Sequence, residues 1–162
     1  MYIYDNQTNS LVEAEIVVGS SKDMPLKKNG WNFTWRTIIK RKATETFILR
    51  LKSNPSSIQG VLQLKKQDGM LIMDLLEIAP HNIGQENKRY NHVAGCLIAF
   101  ACRESFKLES NYKGFITFES KTKLIEWYKE NYFAQVALGQ KMFIEPSDGE
   151  KLINTFLKRN KK

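Results

Sequence analysis

Residues 70–79, Met-Leu-Ile-Met-Asp-Leu-Leu-Glu-Ile-Ala, constrain the fold more than any other stretch of this chain. The run is apolar at odd and even positions alike, so a strand built from it must bury both faces. That requires a central position in a sheet, with helices above and below. Pro80 ends the run, because proline has no N–H to give to a ladder. A polar loop follows, and from Val93 the chain turns apolar again in Val-Ala-Gly-Cys-Leu-Ile-Ala-Phe-Ala-Cys. This second run has hardly a polar face until Arg103 and reads as a largely buried helix, 93–108. A buried strand that empties through a loop onto a helix start can hold phosphate, since first-turn N–H groups have no partner within the helix.

The flanking segments fill in the architecture. Residues 11–18 read as a first strand, and Asp23 to Lys42, with Pro25, Trp31, Phe33 and Trp35, as one or two short helices. Thr44 to Leu51 alternates, with Phe47, Leu49 and Leu51 on one face, and Ile58 to Lys65 alternates again. Gln67-Asp68-Gly69 marks a hairpin into the central strand. Beyond the buried helix come a strand at 114–119, a helix at 121–133 with Leu124, Tyr128 and Tyr132 on one stripe, and a strand at 140–145. Ser147-Asp148-Gly149-Glu150 has capping-box spacing for a last helix. The order predicts one α/β (α+β) domain over 1–162, with a mixed, mainly antiparallel central sheet and helices on both faces.

Composition narrows the functional classes. Of 162 residues, 42% are hydrophobic and 26% charged, a globular balance. No apolar stretch approaches the roughly 20 residues needed to cross a bilayer. The N-terminus lacks a basic region followed by an apolar one, so no secretion signal is expected. Cys96 and Cys102 lie in one predicted helix, about 9 Å apart by helical rise and out of disulfide reach. They read as small buried apolar residues of a cytoplasmic protein. His81 and His92 share one loop, and no metal site is expected. The net charge of +8, from 25 basic and 17 acidic residues, fits an anionic ligand or a solvated basic tail at Lys158, Arg159, Lys161 and Lys162.

With these elements in this order, the chain resembles bacterial members of the GNAT superfamily of acyl-CoA N-acyltransferases over about residues 44–145. Ile78-Ala79-Pro80 is similar to that family's central-strand ending. Arg89-Tyr90-Asn91-His92-Val93-Ala94 matches its phosphate loop, Arg/Gln-x-x-Gly-x-Gly/Ala, at Arg89 and Ala94. Trp127-Tyr128 and Tyr132-Phe133 look like its aromatic helix. Two departures stand out: His92 replaces the first glycine, and the loop from Pro80 to Arg89 is longer than the family commonly has.

The resemblance implies acetyl transfer from acetyl-CoA, as co-substrate, to a primary amine on a small molecule or a protein. The pantetheine arm would pair with the strand at Leu76, Glu77 and Ile78. The pyrophosphate would sit on the N–H groups of Asn91, His92, Val93, Ala94 and Gly95, with Lys88 and Arg89 as charge partners. Tyr128 is the expected acid for the leaving thiolate and Glu77 the expected base, with Asp74 and Glu119 as alternatives. The altered loop leaves open a non-catalytic CoA-binding module. The basic excess leaves open a nucleic-acid-associated protein. Oligomeric state is not legible.

Overall fold

A computed structural model describes residues 1–159; Lys161 and Lys162 of the basic tail lie outside the described residues. Strands β1 (Tyr2–Asp5) and β2 (Ser10–Val18) form a hairpin. After two 3-10 turns comes the short helix α1 (Trp35–Ile38), then β3 (Thr44–Leu51), β4 (Ile58–Gln67) and β5 (Met70–Ile78) in a meander. The two-residue strand β6 (Tyr90–Asn91) leads into α2 (Val93–Ser105). The chain continues through β7 (Ile116–Glu119), α3 (Ile125–Tyr132), β8 (Gln135–Leu138), β9 (Lys141–Ile144) and α4 (Pro146–Leu152), and closes with a π-helical turn, Ile153–Leu157.

Among the described residues the strands form one sheet in the order β6-β1-β2-β3-β4-β5-β7-β9-β8. Every neighbouring pair is antiparallel except β5 and β7, which are joined through α2 and run parallel. The mixed sheet predicted from sequence is therefore present, with β5 in its interior. Asp68 and Gly69, with φ of 53° and 78°, make the tight β4–β5 turn. Such left-handed angles suit the primed hairpin turns, whose twist matches that of the strands.

Two apolar clusters flank the sheet. The larger holds α2, α4 and the inward residues of the strands, with the Phe47 and Phe100 rings 4.7 Å apart. The smaller lies on the opposite face, where Met24, Trp31, Trp35 and Ile38 cover Ile48, Val61 and Ala79. Cys96 and Cys102 are free and buried, and burial pushes each thiol up to about 12, as suits small apolar residues.

The structure corrects several boundaries. Strands β1, β6 and β8 were not expected. Each is four residues or fewer, and β1 pairs with β6 across more than 80 residues of sequence, which no local pattern announces. Residues 21–42 hold only one four-residue α-helix besides 3-10 turns. The last helix starts at Pro146 after Glu145 rather than from a capping box at Ser147, because proline suits a helix's first position. Among the described residues no helix is long and apolar enough to cross a membrane.

Candidate acyl-CoA site at the end of the central strand

The parallel pairing of β5 and β7 covers only Leu71 with Ile116 and Ile72 with Thr117. Further along β5 the register with β4 shifts. Met73 faces Leu64 and Leu75 faces Gln63, so Asp74 is a bulge without a partner on β4. A bulge adds twist and bends its strand. Beyond it, Leu75 to Ile78 keep β4 on one side, while no described strand pairs with the other. The two parallel strands part into a wedge. The edge of β5 at Leu76, Glu77 and Ile78 that no described strand pairs with borders that wedge. The bulge also inverts the alternation. Leu71 and Met73 face α2 before it; Leu76 and Ile78 do so after it; Glu77 turns to the opposite face.

The wedge leads to the start of α2. Here a cavity of about 320 Å³ lies between Lys88, His92, Ala94 and Gly95 on one side and Trp127 and Tyr132 on the other. Ile78, Asn91, Val93 and Phe156 also line it. His92 precedes the helix with φ of 78°, a left-handed conformation that costs an ordinary residue about 1–2 kcal/mol. The backbone therefore keeps the shape a glycine would give it. The side chain lies on the surface, its ring centroid 6.1 Å from that of Phe156. Partial burial, with Arg159 and Lys88 nearby, lowers the His92 pKa. The Cys96 N–H bonds back to the His92 carbonyl at 2.9 Å, so the N–H groups before it open the helix. The π-helical turn lays the Phe156 ring against Gly95, and a side chain at that glycine would strike it.

Arg89 is placed differently from expectation. Its guanidinium grips buried Asp5 in a two-pronged pair, Nε to Oδ1 at 3.0 Å and Nη2 to Oδ2 at 3.1 Å. This bond holds the Asp5 carboxyl well below its usual range, at about 2. Arg89 thus ties β6 to β1 and does not line the cavity at the helix start. Lys88 does line it.

Glu77 is likewise engaged. Its carboxylate accepts the backbone N–H of Asn32 at 2.6 Å, that of Phe33 at 3.2 Å and the Trp35 indole N–H at 2.8 Å. It is 7% exposed and fastens the 20–42 segment to β5. The alternative carboxylates, Asp74 and Glu119, line a groove of about 880 Å³ on the face away from α2, together with Ile72, Phe115 and Phe143. Arg41 approaches Asp74 at 3.3 Å.

Tyr128 is half-buried on α3, its ring 4.7 Å from that of Phe118 near the end of β7, where the wedge opens. Tyr132, one turn on, is 7% exposed and reaches the cavity. Burial raises both phenols, that of Tyr132 to about 12, so both are protonated at neutral pH. The cavity thus gathers Ile78, Lys88, Asn91, His92, Val93, Ala94 and Gly95, with Leu76 on the adjoining free edge. Arg89, Glu77 and Tyr128 lie outside it. Sequence reasoning missed Phe156, which reaches the helix start only through the α4 turn. It also passed over Trp127 and Tyr132 as lining residues, although the aromatic spacing marked both. Among the described residues no group of three or more His, Cys, Asp or Glu side chains is placed to hold a metal.

No protein-family model and no curated protein matches the chain. Solved structures do. AtaTR, solved with acetyl-CoA bound, superposes with a TM-score of 0.60 at 12% identity, over 86% of this chain and 98% of its own. A SpeG spermidine N-acetyltransferase mutant from Vibrio cholerae gives 0.55 at 14% identity, over 85% and 96%. The Campylobacter jejuni N-acetyltransferase PseH, in complex with acetyl-CoA, gives 0.51 at 12% identity, over 81% and 99%. The fold is that of the GNAT N-acetyltransferases.

Proposed function

We propose that this protein is an acyl-CoA-dependent N-acyltransferase that moves an acetyl group from acetyl-CoA to a primary amine. The observation that carries this reading is the free edge of β5 at Leu76–Ile78, running from the wedge to the start of α2. A pantetheine arm carries amides and can extend β5 as an added strand would. Its pyrophosphate then meets the unpartnered N–H groups of Val93, Ala94 and Gly95, with Lys88 supplying charge. Holding the thioester beside the amine supplies much of the rate, since orientation is worth about 7–11 kcal/mol.

Tyr128 keeps its role as acid in this reading. Its protonated phenol, on a ring tilted against that of Phe118 at the mouth of the wedge, can give its proton to the departing thiolate. Glu77 becomes a positioning residue, because three donors already occupy its carboxylate. Asp74 and Glu119 are the carboxylates on the groove side that an incoming ammonium would meet, Asp74 already sharing its charge with Arg41 at 3.3 Å. The acceptor is a small-molecule or protein amine. A second reading, a CoA-binding module without turnover, is favoured by His92 in the phosphate loop and by Phe156 against Gly95.

Two measurements test the proposal. Millimolar acetyl-CoA should raise the melting temperature, because a ligand of the native state alone stabilises it by mass action. Free thiol should then appear when amines of several classes are supplied. No thermal shift would sink both readings; a shift without thiol release from any amine favours the second.

A further inference from the structure

The sheet face away from α2 is covered only in part. Met24, Trp31, Trp35 and Ile38 close over Ile48, Val61 and Ala79 but do not reach the region where β5, β7 and β9 lie side by side. There Met70, Ile72, Phe115 and Phe143 line the groove of about 880 Å³. Each is half-buried, yet none packs into either apolar cluster. The Phe115 and Phe143 rings lie 6.5 Å apart, tilted by 46°, and Tyr112, 47% exposed, also lines the groove. Strand register sets two carboxylates at one end of this apolar floor. Ile72 faces Thr117 across the parallel pair. Asp74 and Glu119 each lie two residues further along, where β5 and β7 part, and both line the groove. Asp74 is held by Arg41 at 3.3 Å. Glu119 is exposed, has Lys141 as its cross-strand neighbour and makes no ion pair among the described residues.

One cation on an apolar body fits this arrangement. Its ammonium meets a carboxylate at the wedge, where a thioester held along β5 would lie. Its body runs back over Ile72 and the two phenylalanines and loses water there, which is favourable in proportion to the apolar area covered. A polyamine fits poorly. Asp68, the other carboxylate of the groove, lies in the β4–β5 turn, roughly 15–20 Å from Asp74 by strand rise. A second ammonium short of it would rest on apolar side chains, and an unpaired charge there is costly. We propose that this groove holds the acceptor and that the acceptor is a monoamine with an apolar, ring-sized body, its ammonium set against Glu119. This assignment of a substrate class rests on the acyl-CoA reading above.

Thiol release from acetyl-CoA, followed with ethylamine, hexylamine, 2-phenylethylamine and spermidine, tests it. From ethylamine to 2-phenylethylamine kcat/KM should rise about tenfold or more, since the added ring is buried in the groove. Spermidine should fall below hexylamine. Phe143→Ala should cut the preference for 2-phenylethylamine over ethylamine about tenfold, acting through KM. A merely structural loss would lower both amines alike and keep the preference. Tyr112→Ala, at an exposed position, should reduce the preference less and serves if Phe143→Ala does not fold. Glu119→Gln should lower kcat/KM for every monoamine while acetyl-CoA still raises the melting temperature. Equal kcat/KM across the series, or spermidine as the best acceptor, would overturn the assignment and leave the acyl-CoA reading standing. So would an unchanged preference in both aromatic variants, or a dimer in sedimentation that Tyr112→Ala dissolves, which would give the groove to a second copy. Silence from all four amines would also overturn it; the acyl-CoA reading would then be decided by the thermal shift and the wider amine series.

Discussion

The two ends of β5 are built from similar residues and do opposite things. From Met70 to Met73 the strand is flanked by β4 and β7, and its apolar side chains lock the sheet to α2. From Leu75 to Ile78, beyond the Asp74 bulge, it pairs with β4 alone among the described strands. A backbone edge left open inside a fold is a liability unless something else satisfies it. A ligand carrying amides is such a partner. The comparison teaches that pairing, not composition, distinguishes the two ends of this strand, with one bulge residue at the border.

The largest expected effect belongs to the open end. Tyr128→Phe keeps the ring on Phe118 and removes the proposed acid. Turnover should fall about 10²–10⁴-fold while acetyl-CoA still raises the melting temperature. Unchanged turnover would leave positioning alone as the mechanism. At the paired end, Leu71→Ala should cost about 2–5 kcal/mol of stability by chemical denaturation, because Leu71 is 4% exposed in the main core. The affinity of the remaining folded protein for acetyl-CoA should not move. A matching loss of affinity would show that the two ends are not separable.

Ala94→Glu places a negative charge and added volume at the helix start. Acetyl-CoA affinity should drop about a hundredfold, measured calorimetrically, with the fold retained because Ala94 is only half-buried. Normal binding by this variant would mean that the phosphate loop lies elsewhere. Glu77→Gln sharpens the contrast between the two faces of β5. It weakens three hydrogen bonds and should cost about 1–3 kcal/mol of stability. Turnover should follow the folded fraction, and the pH–rate profile should keep its shape. A lost acidic limb would restore Glu77 as a base.

The smallest effect concerns the Asp5–Arg89 clamp behind the open end. Asp5 titrates at about 2 in the folded state, below the ordinary carboxylate value near 4. Its contribution to stability is therefore fully present above pH about 4 and is lost as pH falls toward about 2. Asp5→Asn should flatten the stability curve over that interval. An unaltered curve would mean that the clamp contributes nothing to folding.

Much of the site was legible from residue order. An apolar run that ends at Pro80, a polar loop and a second apolar run from Val93 place a strand end opposite a helix start, and Ile78, Lys88 and Asn91 to Gly95 do line one cavity. Positions whose role depends on a distant partner were not legible. Arg89 looked like a phosphate ligand until Asp5, 84 residues away, was found in its grip. Glu77 looked like a base until the 20–42 segment closed over it.

The sequence alone determined the mixed sheet, the buried helix and the anion-friendly helix start, because hydrophobic periodicity and the unpaired N–H groups of a first turn are local properties. Tertiary structure alone decided which charges remain available to a ligand. It set the Asp74 bulge that turns Glu77 away from α2, paired Arg89 with Asp5 and left Lys88 on the cavity at the helix start. A charged side chain's role depends on whichever opposite charge or donor the fold brings within about 3 Å, and nothing in local sequence encodes that distance.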